Sequence, residues 1–268
     1  MPETPVADQY RTSGNLRARG GLHARYANRN WFDWVSAQLE LTPDSDVLDI
    51  GCGAGWFWLS AGNSCPSGLR LTLTDNSAGM VSEAIANLER DGRIPSLTGK
   101  ACDAADLPFA DASFDAAIAM HMLYHVEDAG RALDEMARVL RPGGLAAVTT
   151  NGEDNLGALF DLGSRAFGGA PRDPAARIFG PGRALELFGE RFDDVALHRF
   201  QDIYVIADAD DIVQYLTSYP PGNRAGEAEI AALRRLVAAR LDEAGGVLNV
   251  AREAVLVCGR ARDARPAR

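Results

Sequence analysis

Lysine is almost missing from this chain: of its 27 basic residues only Lys100 is a lysine. An arginine surplus of this kind follows from GC-rich coding and carries no chemistry of its own. Net charge is strongly negative, at −10. Duplex binding rests on a basic face, so no nucleic-acid partner is expected. The four cysteines, Cys52, Cys65, Cys102 and Cys258, form no C-x-x-C pair and have no histidine at ligand spacing. That pattern excludes a zinc knuckle and a disulfide framework, and no metal is expected. No apolar run reaches the ~18 residues that span a bilayer. A charged and apolar leader is also missing, so the expectation is a cytoplasmic protein with no membrane partner. What remains, 47% hydrophobic and 24% charged residues, is the composition of an ordinary globular domain.

Against these absences stands one dense local pattern. Val47-Leu48-Asp49-Ile50 is a short apolar strand ending around an acid, and it runs into Gly51-Cys52-Gly53-Ala54-Gly55. Glycine has no Cβ, so such a turn lets backbone lie flat against a nucleotide-like ligand. The candidates are a dinucleotide and S-adenosylmethionine. A dinucleotide fingerprint needs a third glycine at the sixth position for close helix packing. Here the sixth position, counted from Gly51, is Trp56. The dinucleotide reading is therefore disfavoured.

Around this turn strands and helices alternate. Strand-like runs fall at Val47–Ile50, Leu69–Thr74, Phe114–Ala119 and Leu145–Thr150. Helix-like segments occupy Trp31–Leu39, Trp56–Ala61, Ser77–Glu89 and Ala129–Leu140. Ser77 is placed to cap its helix, and Arg141-Pro142-Gly143-Gly144 to stop the next. Alternation implies a parallel sheet with right-handed crossovers. Ligands of such sheets bind at the carboxyl ends of the strands, where strand order reverses. Asp75 ends the second strand and suits ribose hydroxyls there.

Beyond Thr150 the pattern loosens. Residues 151–182 are rich in Gly, Asp and Pro with one helix-like stretch near Leu156–Phe167, and read as a lid or substrate loop. Val195–Val205 reads as a strand, Asp210–Tyr215 as a short helix, Glu227–Ala244 as an amphipathic helix and Glu253–Cys258 as a final strand.

The run Asp49-x-Gly51-x-Gly53-x-Gly55, the block from Asp103 through Leu107-Pro108-Phe109 to Ser113-Phe114-Asp115, and the segment Met120–Val126 together resemble class I S-adenosylmethionine-dependent methyltransferases. The likeness is to the ubiquinone-biosynthesis-like, or type 11, group. It implies a Rossmann-like doubly wound sheet of seven strands, mostly parallel with an antiparallel C-terminal strand. It also implies an N-terminal helical lid over residues 1–30, followed by a single domain over 31–262. S-adenosyl-L-methionine is the implied cofactor, and S-adenosyl-L-homocysteine the product. The implied contacts are Asp49, Gly51, Cys52, Gly53 and Gly55 in the turn, Asp75 and Asn76 at the ribose, and Asp103 and Ala104 at the adenine. The resemblance also implies that His121 lies beside the sulfonium, and it is the candidate catalytic base. The stripe Asn15, Arg19, His23 and Tyr26 resembles the lid helix of one bacterial subgroup, so Tyr10 and Arg19 are added as cofactor contacts. His125 is read as structural.

Substrate candidates are Tyr26, Tyr124, Asn151, Arg177 and Tyr204, with Tyr215 and Tyr219 behind them. The expected activity is methyl transfer to an oxygen or nitrogen of a small-molecule metabolite, such as a natural-product intermediate, by a monomer or homodimer. Alternatives are a C-methyltransferase, a methylation-coupled cyclase and a non-catalytic cofactor-binding module.

Overall fold

The computed structural model describes residues 14–61 and 64–263, with side chains from Gly20 onward. Two helices come first, α1 (Gly14–Tyr26) and α2 (Trp31–Gln38), the second capped by the Asn30 side chain. The alternating region then runs β1 (Asp46–Ile50), α3 (Trp56–Ala61), β2 (Arg70–Asp75), α4 (Ala78–Asp91), β3 (Ser96–Ala101), β4 (Phe114–Met120), α5 (Ala129–Val139) and β5 (Leu140–Asn151). The last part holds α6 (Gly157–Phe167), α7 (Pro174–Ile178), α8 (Pro181–Arg191), β6 (Phe192–Ile206), α9 (Ala209–Thr217), α10 (Glu227–Glu243) and β7 (Leu248–Ala261).

The strands form one seven-stranded sheet in the order β3-β2-β1-β4-β5-β7-β6. Strands β1 to β5 pair in parallel, and β7 runs antiparallel between β5 and β6. This is the expected doubly wound sheet with its antiparallel C-terminal strand. Chain order reverses between β1 and β4, so the crevice for a ligand lies at their carboxyl ends.

Both faces of the central strands are covered, which is why their sequences are apolar throughout. Side chains alternate across the sheet with period two. Val47, Ala116, Ile118, Leu145 and Ala147 face a core shared with α2, α3 and α4. Leu48, Ala117, Ala119, Ala146 and Val148 face the other core, closed by α5 and α8. A third cluster joins Leu22 of α1 to α6, α9, α10 and the outer ends of β6 and β7. The stripe Leu233, Val237 and Leu241 of α10 is buried in it, with Ile230 and Leu236 at its margin.

Several boundaries follow from simple capping. The Ser77 hydroxyl accepts from the Met80 amide, and Gly92 closes α4 in the left-handed region at φ 73°. Helix α5 stops at Val139, before Pro142. Two features differ from expectation. Strand β3 was not foreseen, because it is the sheet edge with most of its residues exposed and no apolar run. The 151–182 stretch holds the expected helix as α6, but also α7 and the start of α8, which were not foreseen. Leu156, Leu159, Phe160 and Leu162 are buried in the third cluster, which anchors this stretch to α10 and α9.

Candidate active site

A cleft of about 2260 Å3 opens over the carboxyl ends of β1, β2 and β4. Small-molecule pockets commonly measure about 300–1,000 Å3, so this one has room for a nucleoside and a second ligand. Asp49, Gly51, Cys52, Gly53, Asp75, Asn76, Asp103, Ala104 and His121 all line it, together with Tyr124, Asn151 and Tyr204.

The glycine turn is built by left-handed backbone at Gly51 (φ 72°), Gly53 (φ 52°) and Gly55 (φ 78°). A Cβ at Gly51 would also stand 2.8 Å from the Met122 side chain. Gly55 plays a different part. It does not line the cleft, and a Cβ there would meet Ala84 of α4 at 3.3 Å, so it lets the turn seat against that helix. Close helix packing thus falls on the fifth position, and Trp56 at the sixth is left to line the cleft. The Cys52 amide donates to the Thr74 carbonyl (2.8 Å), tying the turn to β2. Burial pushes the Cys52 thiol up, so it stays protonated.

Asp75 caps the end of β2 with both oxygens in use: Oδ2 accepts from the Gly53 amide (3.0 Å) and Oδ1 from the Ser77 amide (2.8 Å). Each oxygen keeps a further acceptor site toward the cleft. Asp103 is exposed, and its Oδ1 accepts from the Ala105 amide (2.9 Å), while Ala104 is buried beside it. Asp49 is 2% exposed. Its Oδ2 accepts from the Trp58 indole (2.7 Å), but its buried Oδ1 has no hydrogen-bond partner. Burial, with the nearby Asp75 charge adding to it, pushes the Asp49 carboxyl up to about 7.

His121 sits just past β4 with φ 52°, its amide bonded to the Thr149 hydroxyl (3.0 Å). Its ring lies 5.5 Å from Trp31. Desolvation and the Arg252 charge push the imidazole down to about 3, so it is neutral at physiological pH. Tyr124 packs beside His121 and His125.

Two substrate candidates stand apart from the cleft. The Tyr26 hydroxyl donates to Asp211 at 2.5 Å, alongside the Arg25–Asp211 ion pair. Arg177 lines a smaller neighbouring pocket with Phe160 and Gly222. Tyr215 lies in the third core cluster, its hydroxyl bonded to that of Tyr219, which reaches the cleft. Tyr10 and the Arg19 side chain lie outside the described residues. The backbone of α1 nevertheless reaches the site, since a Cβ at Gly20 would stand 3.1 Å from the Trp56 ring. Gly20 therefore serves close approach.

Sequence reasoning missed Arg252, Asn155 and Asp173, which join the candidates Asn151 and Tyr204 in one network. Arg252 of β7 is 5% exposed and lines the cleft. Its Nη1 donates to Asn155 Oδ1 (2.8 Å) and the Glu253 carbonyl (2.6 Å), with Asn151 Oδ1 at 3.4 Å. Both amides donate in turn to Asp173 Oδ2, each at 2.8 Å. Asp173 is 2% exposed, and burial pushes its carboxyl up. His23 of α1 shares a hydrogen with the Tyr204 hydroxyl (2.7 Å), and burial with the Arg252 charge pushes His23 well down. The signal was present in β7: alternate positions Leu248, Val250, Arg252 and Ala254 all point inward, and only one is charged.

With this geometry in view, comparisons are informative. Residues 48–148 match the family model described as a methyltransferase domain. O-methyltransferase resE of Aspergillus sclerotiorum is 37% identical over 114 residues, 42% of each chain. The ubiquinone/menaquinone biosynthesis C-methyltransferase UbiE of Geotalea daltonii is 32% identical over 124 residues, 45% of this chain and 52% of that one. These matches therefore span about half or less of the relatives' own length. Among solved structures, a Haemonchus contortus phosphoethanolamine N-methyltransferase in complex with S-adenosyl-L-methionine aligns with TM-score 0.57 at 16% identity. That alignment covers 96% of this chain and 59% of the other, and places this fold with the methyltransferase architecture. Among the described residues no cluster of His, Cys, Asp and Glu could hold a metal ion, and no helix is long and apolar enough to cross a membrane.

Proposed function

We propose that the protein is an S-adenosylmethionine-dependent methyltransferase acting on an oxygen or nitrogen of a small-molecule metabolite. One observation carries the reading. A left-handed glycine turn, an acid with a buried unpartnered oxygen and an acid at the next strand end converge where chain order reverses, inside a cleft with room for two ligands. These groups fit the cofactor. Asp75 would accept from ribose hydroxyls, and Asp103 and the Ala104 backbone would meet the adenine. The glycine turn and Asp49 would face the amino-acid end, whose ammonium suits an unpartnered carboxylate oxygen. When bound, the cofactor supplies a methyl group already activated on a sulfonium.

The chain's own contribution is alignment and exclusion of water. His121, Trp31 and Tyr124 form the wall next to the turn and position the acceptor. A general base contributes about 10²–10⁴-fold where one is used. His121, held neutral far below its ordinary range, is a weak base and acts mainly by accepting a hydrogen bond. His121→Asn is therefore expected to lower kcat by less than about tenfold. Its pH–rate profile should stay parallel to that of the wild type from pH 6 to 9. A 100-fold loss with a lost ionisation would restore the base.

The lid role of α1 rests on the Gly20–Trp56 approach and the His23–Tyr204 bond. Gly20→Val should push α1 off Trp56 and weaken S-adenosylhomocysteine binding by about tenfold, an effect of roughly 1.4 kcal/mol. Unchanged affinity in calorimetry would remove the lid from the account. Incubation with methyl-labelled cofactor and a metabolite extract tests the activity itself. Label transfer is expected, whereas tight cofactor binding with no transfer would favour a non-catalytic module. The relatives include O- and C-methyltransferases, so the labelled product identifies the acceptor atom and would reveal carbon methylation directly.

A further inference from the structure

We propose that the methyl acceptor is an organic acid whose anionic oxygen is bound by Arg252, an inference that rests on the methyltransferase reading of the same cleft. Arg252 is a buried guanidinium facing the cleft, and among the described residues it forms no ion pair with a carboxylate. Burying a charge in this way is costly unless it is compensated. The compensation present is neutral: Nη1 donates to the oxygens of Asn155, Asn151 and Glu253, and the guanidinium also meets the Tyr204 hydroxyl. Asp173, the acid of this network, is held one amide away, because Asn151 and Asn155 stand between it and the guanidinium. Asp202, opposite Arg252 in the β6–β7 ladder, is bonded to Asn28. The Asn151 and Asn155 amides fix the planar fork in place, and among the described residues no carboxylate forms an ion pair with it.

The surroundings reinforce the choice. His23 and His121 share this end of the cleft, and both are held neutral, so neither competes for an anion nor replaces Arg252 in binding one. The acids that suit the cofactor, Asp49, Asp75 and Asp103, line the opposite end. Arg252 thus lies at the end of the cleft away from those three acids, a separation that suits two different ligands. The Arg252 guanidinium also lies 5.8 Å from the centre of the Trp31 ring, and Phe200 packs against the same ring at 5.1 Å. An acid with an apolar or aromatic body would place its body on these rings and its oxygen on the guanidinium, where a fork of donors matches a carboxylate.

The test uses the full chain saturated with S-adenosylhomocysteine. Three acids, benzoate, 4-hydroxycinnamate and octanoate, are titrated by calorimetry beside their methyl esters. At least one acid is expected to bind tenfold or more tightly than its ester. Arg252→Gln, which keeps an amide donor for the Asn155 and Glu253 oxygens, should bring that preference to within twofold. Arg252→Lys should retain part of it. S-adenosylhomocysteine affinity, unchanged within twofold in both variants, shows that the fold is intact. Equal binding of acid and ester, binding of no acid, or a preference that survives Arg252→Gln would overturn the proposal. Failure of the wild type to bind S-adenosylhomocysteine would instead count against the cofactor reading, and the acid–ester comparison is then read on the free protein.

Discussion

Asp75→Ala is expected to weaken S-adenosylhomocysteine binding by about 100-fold. Hydrogen bonds to a charged group contribute about 1.5–3 kcal/mol each. A carboxylate bonded to two ribose hydroxyls would therefore supply roughly 3 kcal/mol or more, which is about two orders of magnitude in affinity. The existing bonds from Gly53 and Ser77 add to the effect, because they hold the glycine turn and the start of α4 to the same carboxylate. Asp75→Asn separates the two contributions. The amide can keep one acceptor for the backbone and still loses the charge, so it should fall between wild type and alanine. Calorimetry gives the affinities, and a thermal melt checks the fold. A loss smaller than threefold in Asp75→Ala would remove ribose recognition from the account.

Asp49→Asn carries the second large effect, on stability. The Asp49 carboxyl is raised to about 7, so the native state binds its proton more tightly than the unfolded chain does. For an acid shifted upward, stability is fully present below its ordinary pKa, near 4, and is lost as pH rises through about 7. A shift of this size corresponds to a loss on the order of 4 kcal/mol, or a fall in Tm of roughly 8 °C or more for a chain of this length. The free protein should therefore melt at a lower temperature at pH 8 than at pH 5, and Asp49→Asn should flatten that difference. Saturating S-adenosylhomocysteine, whose ammonium pairs with the ionised carboxylate, should narrow it in the wild type. A pH dependence equal in wild type and variant would mean that Asp49 ionises normally in the folded protein.

The parts of this site that were legible in the sequence are those built by neighbours along the chain. The turn from Asp49 to Gly55, the cap at Ser77 and the helix from Trp56 to Ala61 each follow from local residues, and each stands where the pattern put it. Strand β3 escaped because an edge strand has little apolar face to display. Arg252, Asn155 and Asp173 escaped for another reason. They lie far apart in sequence, and it is the antiparallel insertion of β7 between β5 and β6 that brings Arg252 to the amides that Asp173 holds. The substrate end of the cleft is tertiary throughout. Hence local patterns pointed to the methyl donor, whereas the proposal for the acceptor rests on the folded structure.

Titration of the wild-type protein with S-adenosylhomocysteine, beside NAD as a comparator, tests the central claim most directly. The account predicts one-to-one binding of S-adenosylhomocysteine at micromolar affinity or better, with no heat from NAD. Binding of NAD, or no binding of S-adenosylhomocysteine, would contradict it.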